Sequence, residues 1–458
     1  MRLCLPLLLL LAAPALAPAA ERRPNVILIL ADDLGWGDVG FNGRTEWKTP
    51  NLDRLAAGGT VFQRWYAAAV VCAPSRAALM TGKYGIHNGV TGNSADLPAD
   101  QVTLAAALKQ HGYATALFGK WHHGRARPGT KSYRHPLDLG FDEFFGFTDA
   151  VHAWKQYPKE LWFGRERKPV TGYANTLFTD RAVDFIGRHQ GRPFFLYLPY
   201  IATHFHIQAP PEDVAEHRGK FAEKGPNKPV NATYAAMVTR LDKEVGRVLK
   251  ALDERKLADD TLVLFSSDHG ATFEKGNQGA SAYHDSNRPF RGQKRTLWEG
   301  GVRVPGVVRW PGHVPAGRVS QQVVHNIDVF STVLAAAGAK PEPAWKVDGR
   351  DILTVWEGKA KAPERTLYWE WRAEGYNQLA AMRGDLKLVV TGAAPPELFN
   401  VVTDPGERRN RAAEYPELVK ELRKGITDWL KTETEESKWG RQPPPKKAPP
   451  AAGAKPKP

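Results

Sequence analysis

The chain has 458 residues, of which 42% are hydrophobic and 14 are tryptophan, so it can bury a large core and support a second, smaller unit. Its formal net charge of +14 is spread along the chain without a basic helix or an aromatic RNA-binding motif, which argues against a nucleic-acid-binding protein. The positive charge has two interpretations: a solvated basic surface, or a surface that attracts polyanions.

The N-terminus has the order of a secretory signal peptide. Arg2 precedes an apolar run at residues 3–11, and small residues rich in alanine follow up to residue 20. The apolar run is too short to remain as a membrane anchor. We predict that residues 1–20 form a signal peptide whose removal takes Cys4 with it, and that the mature protein is periplasmic or secreted without a stable membrane anchor.

The next part of the chain alternates strand and helix patterns. Apolar runs of strand length lie at residues 25–31, 114–118, 194–201, 261–266 and 304–310. Helical patterns lie between or after them, at 103–110, 176–188, 235–255 and 327–337. This alternation predicts an α/β catalytic domain over residues 22–340, with a large, mostly parallel mixed sheet sandwiched by helices.

The pattern changes after about residue 340, where a proline-rich linker begins. Short strand-like pieces follow at 367–371, 378–382, 386–390 and 397–401, and then a helical pattern at 416–430. We predict a C-terminal subdomain over residues 341–435, built as a small antiparallel sheet with one helix. Residues 436–458 are rich in proline and lysine, which predicts a disordered tail.

Polar residues follow four of the predicted strands. They are Asp32 and Asp33, Lys120 and His122, His204, and Asp268 and His269. Ligands in doubly wound folds collect beyond the carboxyl ends of the strands, so these side chains are expected to converge. Adjacent carboxylates in a buried site favour a bound cation, and an oxygen-rich shell favours Ca²⁺ first and Mg²⁺ second. His269 fits such a shell less well, because imidazole nitrogen is a poorer Ca²⁺ ligand than an amide oxygen.

Cys72 is the one cysteine left after loss of the predicted signal peptide. A secreted protein rarely keeps a single cysteine without a chemical use for it, although a buried structural thiol is the common alternative. Cys72 begins the string Cys-Ala-Pro-Ser-Arg at residues 72–76. Pro74 and Arg76 at these offsets argue against a merely structural thiol.

The string at 72–76 resembles the Cys-x-Pro-Ser-Arg signature of type I, formylglycine-dependent sulfatases of the alkaline phosphatase superfamily. Residues 112–122 resemble the second sulfatase signature, and residues 292–305 resemble the segment that supplies a second active-site lysine. The resemblance spans roughly residues 23–410 with the matches in the family's order. It implies an alkaline-phosphatase-like fold and hydrolysis of sulfate monoesters.

The resemblance also implies a modified residue and a metal. In the family, a formylglycine-generating enzyme oxidises the cysteine to formylglycine, whose hydrate attacks the sulfate. Here the modified residue 72 would bind the metal together with Asp32, Asp33, Asp268 and His269, where the family often has asparagine at the last position.

The remaining roles concern sulfate binding and proton transfer. By resemblance, Arg76 would orient the hydrate, and Lys120 and Lys294 would hold the sulfate oxygens. His204, with Lys294, would protonate the departing alcohol. His122 would deprotonate the second hydroxyl of the hydrate, which expels sulfate and restores the aldehyde.

Two other functions stay open from the sequence: a phosphate or phosphonate ester hydrolase of the same superfamily, and an inactive secreted glycan-binding protein. The expected substrate is a sulfated carbohydrate of glycan or glycosaminoglycan type, with aryl sulfates as surrogates. The segment 152–168 contains Trp154, Tyr157 and Trp162 among basic residues. These aromatic rings either stack on sugar rings or fold back onto the core.

Overall fold

The computed structural model describes residues 23–124, 134–223, 225, 228–373 and 376–435. The predicted signal peptide at 1–20, including Cys4, and the predicted tail at 436–458 lie outside the described residues. Within the described ranges, no helix combines the length and the apolar character needed to cross a membrane.

The larger part of the chain is built on one mixed sheet. Its strands are β1 (Asn25–Ala31), β2 (Thr60–Tyr66), β3 (Ala114–Lys120), β4 (Glu143–Phe147), β5 (Glu160–Phe163), β6 (Glu166–Pro169), β7 (Phe194–Pro199), β8 (Thr261–Ser267), β9 (Arg303–Val304), β10 (Gly306–Arg309) and β11 (Arg318–His325). The strand order is β11-β2-β10-β8-β1-β7-β3-β4-β5-β6, and β9 pairs with β2. The central strands β8, β1, β7 and β3 are parallel neighbours, whereas β10 runs antiparallel to β8. The prediction of a mostly parallel mixed sheet is confirmed.

Helices cover both faces of this sheet. They are α1 (Pro50–Ala57), α2 (Cys72–Thr81), α3 (Gly85–Asn88), α4 (Leu104–Gln110), α5 (Ala174–Arg188), α6 (Pro211–His217), α7 (Val230–Glu254), α8 (Ala280–Tyr283), α9 (Glu299–Val302), α10 (Asn326–Ala336), α11 (Leu353–Trp356) and, beyond the sheet, α12 (Pro416–Leu430). Short 3-10 helices lie at Trp36–Asp38, Gly40–Asn42, Pro136–Asp138, His152–Trp154, Lys275–Asn277, Pro343–Trp345 and Ala412–Glu414.

Alternate residues of β1 explain why both faces are covered. Every residue of β1 is buried. Ile27 and Ile29 belong to the core that contains residues of α5 and α7, whereas Val26 and Leu28 belong to the core that contains residues of α4 and α10. Each such aliphatic side chain contributes roughly 1.5–3 kcal/mol by leaving water, so this strand fixes the centre of the fold.

A second, four-stranded sheet follows. Its strands are β12 (Thr366–Ala373), β13 (Tyr376–Arg383), β14 (Leu386–Thr391) and β15 (Glu397–Asn400), each antiparallel to the next. One face packs on α12 through residues such as Leu422 and Ile426. The other face packs Trp369 and Met382 against Val70 and Leu297 of the larger part. The predicted small antiparallel sheet with a closing helix is confirmed, and the boundary at residue 340 stays a prediction.

The strand predicted at 304–310 is two strands. β9 ends at Val304 and β10 begins at Gly306, with Pro305 between them. Proline has no backbone N–H to donate to a ladder, so a continuous strand is interrupted at this residue.

Candidate active site

The polar residues predicted to converge do lie together. Asp32 follows β1, His204 lies beyond the end of β7, Asp268 follows β8, and Lys120 is the last residue of β3. Because these four strands are parallel neighbours at the centre of the sheet, their carboxyl ends meet at one edge. Cys72, the first residue of α2, lies at the same edge.

The Cys72 side chain is at the centre of this cluster. Its Sγ atom lies 3.3 Å from Nε2 of His269, 3.5 Å from Oδ1 of Asp32 and 3.8 Å from Nζ of Lys294. The residue is 1% exposed. Burial raises the pKa of the thiol more than Lys120 and Lys294 lower it, so the unmodified side chain is a neutral thiol.

Two buried lysines neutralise the two leading aspartates. Nζ of Lys120 lies 2.7 Å from Oδ2 of Asp32, and Nζ of Lys294 lies 2.9 Å from Oδ1 of Asp33. Burial favours the protonated form of Asp32, but the surrounding cations, Lys120 foremost, outweigh it and hold the pKa of this carboxyl well below its usual value. Asp32 is therefore a carboxylate at neutral pH.

Arg76 connects α2 to the ends of three strands. Its Nε atom donates to Oδ2 of Asp268 at 3.0 Å, and its Nη1 atom donates to the carbonyl oxygen of Lys120 at 3.0 Å. Nη2 lies 2.9 Å from Oδ2 of Asp268 and 3.3 Å from Oδ1 of Asp32. These contacts fix the helix that begins at Cys72, while the predicted action of Arg76 on a modified residue 72 stays a prediction.

The donor set fits a divalent cation. Asp32, Asp33, Cys72 and His269 each offer one ligand atom, and these atoms all lie within 4.8 Å of one another. Ligands on opposite sides of a Ca²⁺ ion are about 5 Å apart, so one ion can reach all four positions. Nδ1 of His269 donates to the carbonyl oxygen of Gly270 at 3.0 Å, so Nε2, which faces Cys72, is the ring nitrogen that could bind a metal.

Asp268 lies beside this set and contacts protein groups. Its Oδ1 atom accepts a hydrogen bond from the backbone N–H of Asp33 at 3.2 Å, and its Oδ2 atom accepts from Arg76. Burial raises the pKa of Asp268, and the neighbouring carboxylate of Asp32 adds to the shift. Its role as a metal ligand stays a prediction.

His122 is positioned to accept a proton. Its Nε2 atom donates to the carbonyl oxygen of Asn93 at 3.3 Å, and its Nδ1 atom has no hydrogen-bond partner among the described residues. Burial, together with the charge of Lys120, lowers the pKa of His122 well below its usual value. The ring is therefore neutral at pH 7, with its lone pair on Nδ1.

His204 lies beside the Lys294–Asp33 pair. Its Nδ1 atom donates to the carbonyl oxygen of Phe205 at 2.8 Å, and its Nε2 atom lies 3.8 Å from Oδ2 of Asp33. Burial lowers the pKa of His204 to about 4, against the opposing effect of Asp33. An anion bound next to Nε2 raises the proton affinity of this ring, because it favours the imidazolium form.

The backbone near the site takes conformations that most residues avoid. Asp33, His122 and Arg295 have φ values of 62°, 80° and 70°. Non-glycine residues in this left-handed region cost of order 1 kcal/mol, and such strain concentrates at functional sites. Gly119, just before Lys120, has φ of 141°, and a Cβ atom there would lie 2.1 Å from the carbonyl oxygen of Pro199. Only glycine fits this close approach of β3 and β7.

A cavity of about 200 Å³ opens beside His122. The residues that line it are Gly92, Asn93, Ser94, Ala95, Asp96, His122, Asp149, Ala150, Val151, Trp154, Arg295, Trp371 and Arg372. Of the three aromatic residues singled out in segment 152–168, only Trp154 lines this cavity. Trp162 is buried and lies under the Arg167 guanidinium, and Tyr157 packs on Tyr173.

Sequence reasoning missed most of the cavity wall. Arg295 was within reach of a sequence argument, since it directly follows Lys294. Asp149 and Arg372 have no local motif, and they reach the cavity only because distant loops and β12 pack around it. Glu274 was also missed, although its Oε1 accepts from Nε of Arg295 at 2.8 Å and its Oε2 lies 3.6 Å from Nζ of Lys294.

Comparisons with known proteins show the family of the chain. The Sulfatase family model matches residues 24–339, and the model for the C-terminal part of N-sulphoglucosamine sulphohydrolase matches residues 291–432. The chain belongs to the sulfatase family. It is accordingly a sulfuric ester hydrolase with an alkaline-phosphatase-like fold.

Individual relatives cover most of the chain. N-acetylgalactosamine-6-sulfatase of Canis lupus familiaris is 36% identical, and the match covers 84% of this chain and 73% of that protein. Steryl-sulfatase of Mus musculus is 33% identical, and the match covers 88% of this chain and 80% of that protein. The solved structure of Ps i-CgsB in complex with k-i-k-neocarrahexaose has a TM-score of 0.81 and 31% identity, and the match covers 91% of this chain and 94% of that chain.

Proposed function

We propose that this sulfatase removes sulfate from a sulfated carbohydrate, with residue 72 as formylglycine and Ca²⁺ (Mg²⁺ as the alternative) bound beside it. The observation that supports this most directly is the position of Cys72. It is the first residue of α2, and its Sγ atom lies within 3.3 Å of Nε2 of His269, 3.5 Å of Oδ1 of Asp32 and 3.8 Å of Nζ of Lys294. The proposed nucleophile is thus surrounded by both metal-ligating and sulfate-binding groups.

Asp32, Asp33, His269 and residue 72 would hold the cation, with Asp268 as a further proposed ligand. When bound, the cation neutralises sulfate oxygens and lowers the pKa of a bound hydroxyl. Formylglycine hydrate supplies one hydroxyl for attack on sulfur and a second hydroxyl whose deprotonation releases sulfate.

The lysines bind the sulfate group. Lys120 and Lys294 now donate to Asp32 and Asp33. Each ammonium group has three N–H donors, so both lysines can also donate to sulfate oxygens as point charges. Arg76 keeps its contacts with Asp268 and with the carbonyl oxygen of Lys120, so it orients the first turn of α2 around residue 72.

Two histidines transfer protons. His204, with its Nε2 atom 3.8 Å from Asp33 and its ring near Lys294, donates a proton to the departing alcohol oxygen after the anionic substrate has raised its proton affinity. His122 accepts a proton at Nδ1, the nitrogen that has no hydrogen-bond partner among the described residues. The two rings thus act as acid and base in different steps.

Polar side chains and an aromatic ring in the cavity support a carbohydrate substrate. Asn93, Asp149 and Arg295 offer hydrogen-bonding groups next to His122, and Trp154 offers an aromatic surface for a sugar ring. Two of the similar proteins bear carbohydrate names, N-acetylgalactosamine-6-sulfatase and the neocarrahexaose complex. We further propose maturation by a formylglycine-generating enzyme and a periplasmic or secreted location.

The competing superfamily activities find less support. Within the described residues, one group of three or more His, Cys, Asp and Glu side chains has metal-ligand spacing, so the two-metal site of a phosphatase is not supported there. An inactive glycan-binding protein is disfavoured because cysteine, arginine, lysine and histidine fill the predicted catalytic positions, and aspartates fill the predicted metal positions.

Turnover of matched aryl esters tests the proposal. Protein produced together with a formylglycine-generating enzyme should hydrolyse 4-nitrophenyl sulfate at least about tenfold more efficiently than 4-nitrophenyl phosphate, and it should release sulfate from a panel of sulfated sugars. Cys72→Ala should lose on the order of a thousandfold or more of this activity at an unchanged melting temperature. A preference for phosphate, or an active Cys72→Ala variant, would overturn the proposal.

A further inference from the structure

Two basic side chains, Arg295 and Arg372, line the cavity beside His122. Trp371, Asp96 and Asp149 also line it. The proposed function gives Arg295 only a general hydrogen-bonding role towards the sugar and gives Arg372 no role. Both lie within a space of about 200 Å³ that also borders His122, so a group bound there is adjacent to the reaction.

Arg295 is only partly occupied by protein contacts. Its Nε atom donates to Oε1 of Glu274 at 2.8 Å, and its two terminal nitrogens have no hydrogen-bond partner among the described residues. Its guanidinium lies 5.5 Å from the ring of Trp371, and its side chain is 33% exposed. The backbone N–H donates to the carbonyl oxygen of Val70 at 3.0 Å, which fixes the residue in its left-handed conformation.

The two neighbouring basic side chains, Lys294 and Arg295, point in different directions. Lys294 is 3% exposed and reaches Asp33 and Cys72, whereas Arg295 faces the cavity. Glu274 accepts from Arg295 and lies 3.6 Å from Nζ of Lys294, so one carboxylate braces both side chains. Glu274 therefore fixes the position of the Arg295 guanidinium relative to Lys294, which is proposed to bind sulfate.

Arg372 comes from the small sheet. Its Nε atom lies 3.2 Å from Oε2 of Glu370, and its side chain is 30% exposed. β12 is tied to the larger part by Nε1 of Trp369, which donates to the carbonyl oxygen of Ala67 at 2.8 Å. The second arginine is thus presented to the cavity by a strand that is packed in place.

We propose that Arg295 and Arg372 form a binding site for a second anionic group of the substrate, a carboxylate or an additional sulfate on the same sugar or its neighbour. Guanidinium groups with free terminal nitrogens bind such oxyanions through paired, charge-assisted hydrogen bonds. Across the cavity, the Asp149 carboxylate can accept hydrogen bonds from sugar hydroxyls, and the Asn93 amide can accept or donate them. The substrate class is therefore a polyanionic glycan, rather than a singly sulfated neutral sugar.

This inference rests on the proposed function, because the ester sulfate has to bind at Lys120 and Lys294 for its sugar to enter the cavity. The test uses matched pairs of saccharides, each pair being the same sugar with one sulfate ester alone or with one further sulfate or carboxylate. kcat/KM is measured for wild type, Arg372→Gln and Arg383→Gln, with 4-nitrophenyl sulfate as a separate reference for the chemistry. Arg383 pairs with Glu421 on the surface of the small sheet and serves as the matched control.

The proposal predicts that wild type prefers the doubly anionic member of a hydrolysed pair by about tenfold or more, and that Arg372→Gln reduces this ratio to near one. Arg383→Gln should keep the wild-type ratio. The inference would be overturned if wild type hydrolysed both members of a pair equally well, or if Arg372→Gln kept the wild-type ratio. It would also be overturned if wild type hydrolysed 4-nitrophenyl sulfate but no saccharide of any pair. Each of these results would leave the sulfatase function intact. If wild-type protein did not hydrolyse 4-nitrophenyl sulfate, that result would instead refute the proposed function.

Discussion

The Nζ atom of Lys120 lies 2.7 Å from Oδ2 of Asp32, and neither side chain is exposed. Placing two charges in the interior has a desolvation penalty that their attraction only partly offsets, so such a pair is weak support for stability alone. The same edge of the sheet also buries the Lys294–Asp33 pair. This concentration of charge is better explained by a site that binds a cation and an anion together.

We predict that chelation inactivates the protein. After treatment with EDTA and its removal by gel filtration, activity on 4-nitrophenyl sulfate should fall by at least about tenfold, and Ca²⁺ should restore it more fully than Mg²⁺. Because an ion that binds only the folded state stabilises it, added Ca²⁺ should raise the melting temperature. Asp33→Asn should abolish that rise, whereas Asp184→Asn, at an exposed ion pair of α5, should retain it. A melting temperature insensitive to Ca²⁺ in wild type would contradict the metal assignment.

The centre of the fold and of the site was predictable from local patterns. β1 is apolar from Val26 to Ala31 and is followed by two aspartates, so both its burial and the position of Asp32 follow from the sequence. The sheet edges were not predictable in this way. All four residues of β6 are exposed and include a glutamate, an arginine and a lysine, so no apolar alternation marks the strand.

The cavity wall was unpredictable for a different reason. Arg372 reaches the neighbourhood of His122 only because β12 packs on the larger part through Trp369 and Ala67, which are 302 positions apart. A contact of that kind depends on tertiary packing and leaves no periodic or motif signal near Arg372. Sequence motifs predicted the sulfatase family, whereas the residues that line the cavity depend on tertiary packing.

We predict that Arg76→Ala destabilises the fold strongly. Removing one partner leaves the Asp268 carboxylate buried without its cation, which costs about 3–5 kcal/mol in the free energy of unfolding. The matched control is Lys424→Ala, whose i,i+4 pair with Asp428 is on the surface of α12 and should have little effect. Urea denaturation followed by circular dichroism measures both. Equal stability of the two variants would show that the contacts of Arg76 with the strand ends do not stabilise the fold.

We predict that His204→Asn has an effect that depends on the leaving group. A poor leaving group such as a sugar alcohol needs a proton as it departs, whereas 4-nitrophenol leaves as a stable anion. The loss in kcat should be about 100-fold or more for a sugar sulfate and less than about tenfold for 4-nitrophenyl sulfate. His313→Asn, on a ring that stacks on Trp310, should change neither rate. Equal losses on the two substrates would indicate that His204 binds sulfate instead of donating a proton.

The contact between the small sheet and α9 should be pH-dependent. Glu407 is 1% exposed; its Oε2 accepts from the backbone N–H of Glu299 at 2.7 Å, and its Oε1 lies 3.2 Å from Nζ of Lys387. Arg303 and Tyr66 face the Glu299 carboxylate from the other side. Burial, with the neighbouring Glu299 carboxylate, raises the pKa of Glu407 to about 7, although Lys387 opposes the shift.

Glu407 therefore binds its proton more tightly in the folded chain than in the unfolded chain, where the pKa is 4.5. Its contribution to stability is full below pH 4.5 and is lost as the pH rises towards about 7. Raising the pH from 5 to 8 should lower the melting temperature less in Glu407→Gln than in wild type, with a difference of about 2 °C or more between the two proteins. Glu421→Gln, at an exposed pair with Arg383, should follow the wild-type profile. A larger decrease in the melting temperature of Glu407→Gln than in that of wild type would show that the pKa of Glu407 is lowered instead of raised.

The most direct measurement is peptide mass spectrometry of position 72, with an aldehyde-specific tag, on protein produced with and without a formylglycine-generating enzyme, together with sulfate release measured on the same samples. The account predicts that the aldehyde is present in the first sample, and that sulfate release scales with the modified fraction. An unmodified Cys72 thiol with full sulfatase activity would contradict the central claim that residue 72 acts as formylglycine.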